Sequence, residues 1–125
     1  MDIRVDTRNV ALPSRSIKSL AARIGRQLSR LKTRIARVHV TLKDVNGPRG
    51  GRDKVCVLRA ELTNGRQIVV IDRSAKLGRA IVRSVRRSRS LIDRDIKRRR
   101  DRLRSGLNAA ASRVTLEGDR ASYSH

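Results

Sequence analysis

The sequence predicts an α+β domain of order β-α-β-β-β-α, a four-stranded sheet with two helices packed on one face. Three observations predict it: stretches in which apolar and polar residues alternate, two stretches with apolar residues three and four apart, and an Asn64-Gly65 pair between two strand-like runs.

Ile3 and Val5 alternate with Asp2, Arg4 and Asp6, the period of a half-buried strand, until the Asn9–Pro13 stretch interrupts it. Ile17, Leu20, Ala21, Ile24, Leu28 and Leu31 then recur at helical spacing, with Ser14 or Ser16 as the expected cap. Arg15, Arg23, Arg26, Arg30 and Arg34 fall on the opposite side of that helix, so burying the aliphatic stripe turns the cations towards solvent. Val38, Val40 and Leu42 mark a second strand, and the Gly- and Pro-containing run from Asn46 to Gly51 reads as a loop. Cys56, Leu58, Ala60 and Leu62 line one face of a third strand. Asn64 and Gly65, taken as the two residues of a tight turn, set Ala60 against Val69 and Leu58 against Ile71 on the apolar face. Asp72 or Ser74 is the expected cap of a last helix whose inner face is Leu77, Ile81, Val85, Ser88, Ile92 and Ile96, ending near Leu103. The predicted domain spans residues 1–104, and the Gly-, Ala- and Ser-rich residues 105–125 are expected to form a disordered tail.

The chain carries 32 Lys and Arg against 11 Asp and Glu, a net charge of +21 on 125 residues. Surface ion pairing needs both signs interspersed, so this imbalance calls for a polyanionic partner. Residues 73–104 hold 14 of the cations against 3 Asp, which puts the expected binding surface on the last helix. Lys76, Arg83, Arg87, Arg94 and Arg98 fall on one flank of that helix, away from the apolar face. Arg79, Arg86 and Lys97 fall on its outer back. Base-by-base reading of single strands by aromatic stacking is excluded in practice, because the only aromatic ring of Phe, Tyr or Trp is Tyr123. Phosphate and shape recognition remains.

No enzyme is expected. His39 has no second metal-ligand pattern around it, Asp93, Asp95 and Asp101 sit among arginines that pair with them, and the glycines of the Asn46–Gly51 loop lack the Lys-Ser or Lys-Thr of a phosphate-binding loop. No cofactor or metal is expected either. The lone Cys56 reads as a buried structural thiol. With no long apolar run, no membrane partner and no signal peptide are expected, and the chain reads as a cytoplasmic monomer.

Three stretches resemble the ribosome hibernation-promoting factor and ribosome-associated inhibitor family. They are Met1-Asp2-Ile3-Arg4-Val5 followed by Arg8-Asn9-Val10, with Thr7 where that family usually has glycine; Arg37-Val38-His39-Val40-Thr41-Leu42; and Asp72-Arg73-Ser74-Ala75-Lys76-Leu77 followed by Ala80-Ile81. The similarity covers roughly residues 1–104, the sheet-and-two-helix fold is the one it implies, and the chain resembles the family's short form, without the second domain that pairs ribosomes. One departure is Gly78, where the family commonly has Tyr; another is the abundance of Arg.

The resemblance implies a translation inhibitor that lies in the small ribosomal subunit where messenger and transfer RNA bind, as in starvation or stress, held by ribosomal RNA phosphates. The positions it implies for RNA binding are Arg23, Arg26 and Arg30 on the first helix and Lys76, Arg79, Arg83, Arg86, Arg87 and Arg94 on the last. Lys97 and Arg98 extend that set along the same helix. The rival reading is a general double-stranded RNA or DNA-binding module, since a sheet backed by two helices also supports recognition of duplex shape.

Overall fold

The computed structural model describes residues 1–45 and 54–117, with side chains described as far as residue 107. The expected Asn46–Gly51 loop and the last residues of the expected tail lie outside the described residues. The chain divides into two compact units, Met1–Leu91 and Ile92–His125.

The first unit contains strand β1 (Asp2–Arg8), helix α1 (Ser14–Gln27), a single 3₁₀ turn at Ser29–Leu31, strands β2 (Ile35–Asp44), β3 (Lys54–Leu62) and β4 (Gln67–Ser74), and the start of helix α2 (Leu77–Glu117). The four strands form one sheet in chain order, with β1 and β2 parallel and the other pairs antiparallel. A parallel pair needs a crossover connection, which α1 supplies.

Register places the inner-face residues in rows across all four strands. Ile3, Val38, Ala60 and Ile68 form one row; Val5, Val40, Leu58 and Val70 form the next. Thr7, Leu42, Cys56 and Asp72 follow. Val5, Val38, Val40, Leu42, Cys56, Leu58, Ala60 and Val70 are all buried, so the middle of the sheet is an aliphatic floor with β-branched side chains fitted to the pleat.

The hairpin between β3 and β4 departs from the expected register by one residue. Ala60 faces Ile68 and Leu58 faces Val70, while Glu61 faces Gln67. The turn has three residues, not two: Gly65 donates its N–H to the Leu62 carbonyl, Leu62 donates to the Arg66 carbonyl, and Gly65 sits at φ +90°. That is a type I turn followed by a left-handed residue, in which Asn64 accepts the Arg66 N–H through Oδ1. A one-residue slip exchanges the faces of a strand, so Val70 is buried and Val69 and Ile71 are about half exposed, the reverse of the expectation. Four consecutive β-branched residues, Ile68 to Ile71, have no alternation from which to choose a face.

Both helices pack on the inner face. α1 lies over β1, where the backbone at Gly25 is so close to Ile3 that an added Cβ would stand 3.1 Å from Ile3 Cδ1. Ile24, Leu28 and Leu31 are buried in sequence, the last two beyond the end of α1, where the 3₁₀ turn carries the stripe onward. The N-terminus of α1 differs from the expected serine cap. Pro13 holds the cap position and its carbonyl accepts the N–H groups of Ser16 and Ile17, with no side-chain cap bond.

Over β3 and β4, α2 buries Ala80, Ile81, Ser84, Val85 and Ser88. Ser84 and Ser88 satisfy their hydroxyls by donating to the Ala80 and Val85 carbonyls of their own helix, 2.8 Å each. Cys56 is buried among these residues; burial pushes its thiol up, the nearby Asp72 charge pushes the same way, and a hydrogen bond with Ser84 opposes both. A thiol held protonated in this way is a packing group.

The outer face of the sheet is polar over β1 and β2 and carries half-exposed Val69 and Ile71 on β4. His39 Nε2 lies 2.6 Å from Asp6 Oδ2, and Arg4 Nε lies 3.2 Å from the same oxygen. An ionised carboxylate only accepts, so the imidazole Nε2–H donates. The His39 hydrogen bond, joined by the charges of Arg4 and His39, holds the Asp6 carboxyl below its ordinary 3.8 although partial desolvation works against it.

In the second unit, α2 continues from Ile92 to Glu117. The helix therefore runs through residues 105–117, beyond the end near Leu103 expected from composition; that stretch contains three consecutive alanines and no proline, and alanine is the strongest helix former.

Val70→Ala is expected to cost roughly 1–3 kcal/mol and Ile71→Ala less than about 0.5 kcal/mol, measured by thermal or urea unfolding. The opposite ranking would restore the two-residue turn. A depressed carboxyl adds stability above its unfolded pKa and loses it as pH falls through the folded one. Asp6 therefore contributes at neutral pH and ceases to below its ordinary value. In His39→Ala, carboxyl NMR titration should find Asp6 at a higher pKa than in the parent.

Candidate nucleic-acid interface

Helix α1 holds its cations outward because its apolar residues are committed to the sheet. Arg15, Arg23, Arg26 and Arg30 are exposed, and Ile17, Leu20 and Ala21 are half-buried on the other side. Arg30 stands on the 3₁₀ turn and not on α1 itself.

Lys76 precedes α2. Its N–H donates to the Ser74 hydroxyl at 3.2 Å and its carbonyl accepts the Ala80 N–H, so Lys76 is the residue at which the chain turns from strand to helix. Ser74 is thus the residue that steadies the helix start. Asp72, the other expected cap, has a different role. It stays on β4 with its carboxylate largely buried, 4.0 Å from Arg83 Nη1 and 3.9 Å from Arg87 Nη1. Arg87 Nη1 also donates to the Ile71 carbonyl at 3.3 Å.

These contacts separate the expected cations into two groups. Arg83 and Arg87 are exposed, yet they lean over the β4 edge and part of their charge answers Asp72. The expectation that both point clear of the folded core is corrected to that extent. Arg23, Arg26, Arg79 and Arg86 are exposed and, among the described residues, make no ion pair. Their guanidinium groups keep five donors each in a planar fork suited to phosphate.

Between α1 and the start of α2, within the first unit, lies a groove of about 520 Å³. Leu12, Leu20, Leu77 and Ile81 give it an aliphatic floor, and Arg15, Ser19 and Arg23 stand along one wall. Arg15, Ser19 and Arg23 are four residues apart in sequence and therefore share one row of α1. Sequence reading picked out Arg23 for RNA binding but not Arg15 or Ser19, although this spacing was there to be read. Asp72 was missed for a different reason: its partners are fixed by the register of β4.

In the second unit, Arg94, Lys97 and Arg98 are exposed on α2, where with Asp101, Arg102 and Ser105 they border a shallow cleft of about 470 Å³. Three- and four-residue spacing puts them on one side of the helix. Among the described residues, no group of three His, Cys, Asp or Glu side chains is arranged to hold a metal ion, and no helix is long and apolar enough to cross a membrane.

No protein-family model matches the sequence, and no curated protein matches it either. Solved structures do. The N-terminal domain of Thermus thermophilus Protein Y is similar over 75% of this chain and 98% of its own, at 21% identity and a TM-score of 0.56. A ribosomal subunit interface protein from Coxiella burnetii is similar over 78% of this chain and 99% of its own, at 14% identity and a TM-score of 0.61. Both are matched along nearly their whole length, so the β-α-β-β-β-α fold with its two helices on one sheet face is the fold this chain shares with them.

Proposed function

We propose that this protein is a ribosome-binding translation inhibitor, a hibernation factor that occupies the messenger- and transfer-RNA decoding region of the small subunit through ribosomal RNA phosphate contacts. The observation that carries the reading is the cationic surface of the helices: Arg23, Arg26, Arg79 and Arg86 stand exposed on two helices docked to one face of a sheet, without carboxylates among the described residues to neutralise them. The net charge of +21 and a fold shared with a ribosomal subunit interface protein support it.

The mechanism is steric. A flexible basic tail loses conformational entropy when it binds, whereas cations on helices fixed by a buried aliphatic floor have lost it already during folding. The bound protein then fills space that messenger and transfer RNA require. In this reading the chain acts as a cytoplasmic monomer, without a cofactor. Arg30, Lys76, Arg83 and Arg87 add contacts in the first unit, and Arg94, Lys97 and Arg98 do so in the second.

Sedimentation with purified ribosomal subunits tests the proposal. The protein is expected to travel with the small subunit at low salt. With ~6 to 10 phosphates engaged, affinity should fall by about 10³ to 10⁵ between 50 and 200 mM monovalent salt. Replacing Arg23, Arg26, Arg79 and Arg86 by Gln should flatten the log–log slope of affinity against salt by about one for each phosphate no longer neutralised, with the unfolding midpoint nearly unchanged. Failure to sediment with either subunit, or uninhibited translation with the protein in excess, overturns the proposal. Complete displacement by excess duplex RNA would favour a general duplex binder instead.

A further inference from the structure

The phosphate contacts proposed above leave the groove between α1 and α2 unexplained, because its floor is aliphatic. Leu12, Leu20 and Leu77 are half-buried there and Ile81 closes the bottom. A volume of about 520 Å³ lies within the roughly 300–1,000 Å³ of clefts that take small organic groups. Guanidinium groups stand on its α1 wall, from Arg15 and Arg23, whose positions are eight residues or about 12 Å apart along the helix. The Ser19 hydroxyl lies between them and Ser16 beside them. An apolar slot with two cations on its rim is complementary to a planar, weakly polar group carried on a backbone with an anion to each side.

From this we infer that the groove takes one unpaired nucleotide of an RNA strand, its base against Leu20, Leu77 and Ile81 and its flanking phosphates on Arg15 and Arg23. The inference rests on the RNA-binding part of the function proposed above, and it deepens that reading by naming the form of RNA. Within a duplex each base is paired and stacked, and the groove cannot reach it; in a loop or bulge the base is free to turn out. Serine hydroxyls both donate and accept, so Ser16 and Ser19 suit the 2′-OH or the edge of the base. Aromatic stacking is not required, since aliphatic surface and guanidinium planes cover the faces of the base.

Gly78 makes the test clean. It lines the groove in the first turn of α2, and a Cβ built on it meets nothing within 4 Å. Gly78→Trp therefore starts from an unobstructed Cβ and brings its ring into the groove from the α2 side. Ser19→Trp, at an exposed position, fills it from the other wall.

Binding of a labelled single-stranded oligouridylate and of a labelled duplex RNA is measured by fluorescence anisotropy for the parent and both variants, each checked for folding by circular dichroism. The expected result is a loss of about tenfold or more in affinity for the single strand in each plugged variant, with duplex affinity unchanged. Single-strand affinity that survives both substitutions overturns the inference, as does an equal loss for both RNAs. If one variant fails to fold, the other carries the test. Sedimentation with ribosomes run in parallel keeps the two proposals apart. Groove-dependent oligonucleotide binding without sedimentation sinks the ribosomal reading alone. Sedimentation with groove-independent binding sinks this inference alone.

Discussion

Burial of one aliphatic face against another is the constraint on which this structure depends. The first unit aims most of its large aliphatic residues at a single layer between the sheet and its helices. At about 25 cal/mol per Å² of apolar surface removed from water, that layer is the main favourable contribution to folding, and it must also offset the repulsion of a strongly cationic surface. Because helices are amphipathic, the same act of burial decides where the cations go. Each residue of α1 that turns inward, Ile24 above all, fixes Arg23 and Arg26 on the outside. The cationic surface is thus a consequence of the core.

Asp72 is a place in the first unit where the two systems meet. It occupies the inner face of the edge strand β4, in the row of Thr7, Leu42 and Cys56, and its carboxylate is approached by Arg83 and Arg87 from α2. At 3.9 to 4.0 Å, with both guanidinium groups about half exposed, each pairing is worth little by itself. Their effect is on orientation, because they draw two guanidinium groups over the sheet edge while Arg79 and Arg86 stay clear. The last helix therefore carries cations of two kinds.

Much of this was legible in the sequence. Element order, the two helices on one face and the inner residues of β1, β2 and β3 follow from hydrophobic period alone, since each stretch obeys only one period. β4 was not legible, because Ile68-Val69-Val70-Ile71 satisfies either register and the deciding factor is local: whether Asn64-Gly65 closes a two- or a three-residue turn. The cap of α1 was misread because Pro13 took the position that serine chemistry suggested for Ser14 or Ser16. The exposed arginines of α1 were legible as a helix face. Their arrangement with the aliphatic groove was not, since a groove is made by two elements distant in sequence and by the small size of Gly78.

The guanidinium of Arg87 at the Ile71 carbonyl has a consequence for colloidal behaviour. A terminal strand with exposed Val69 and Ile71 is a template for adhesion between identical molecules, and natural sheets blunt such margins with positive side chains. Here the blunting has two layers: one acceptor on the margin is already occupied, and mutual repulsion between highly charged copies keeps margins apart. The second layer disappears when a polyanion screens the charge, so this molecule resists clumping least where its charge is neutralised, and there the single arginine cover matters most.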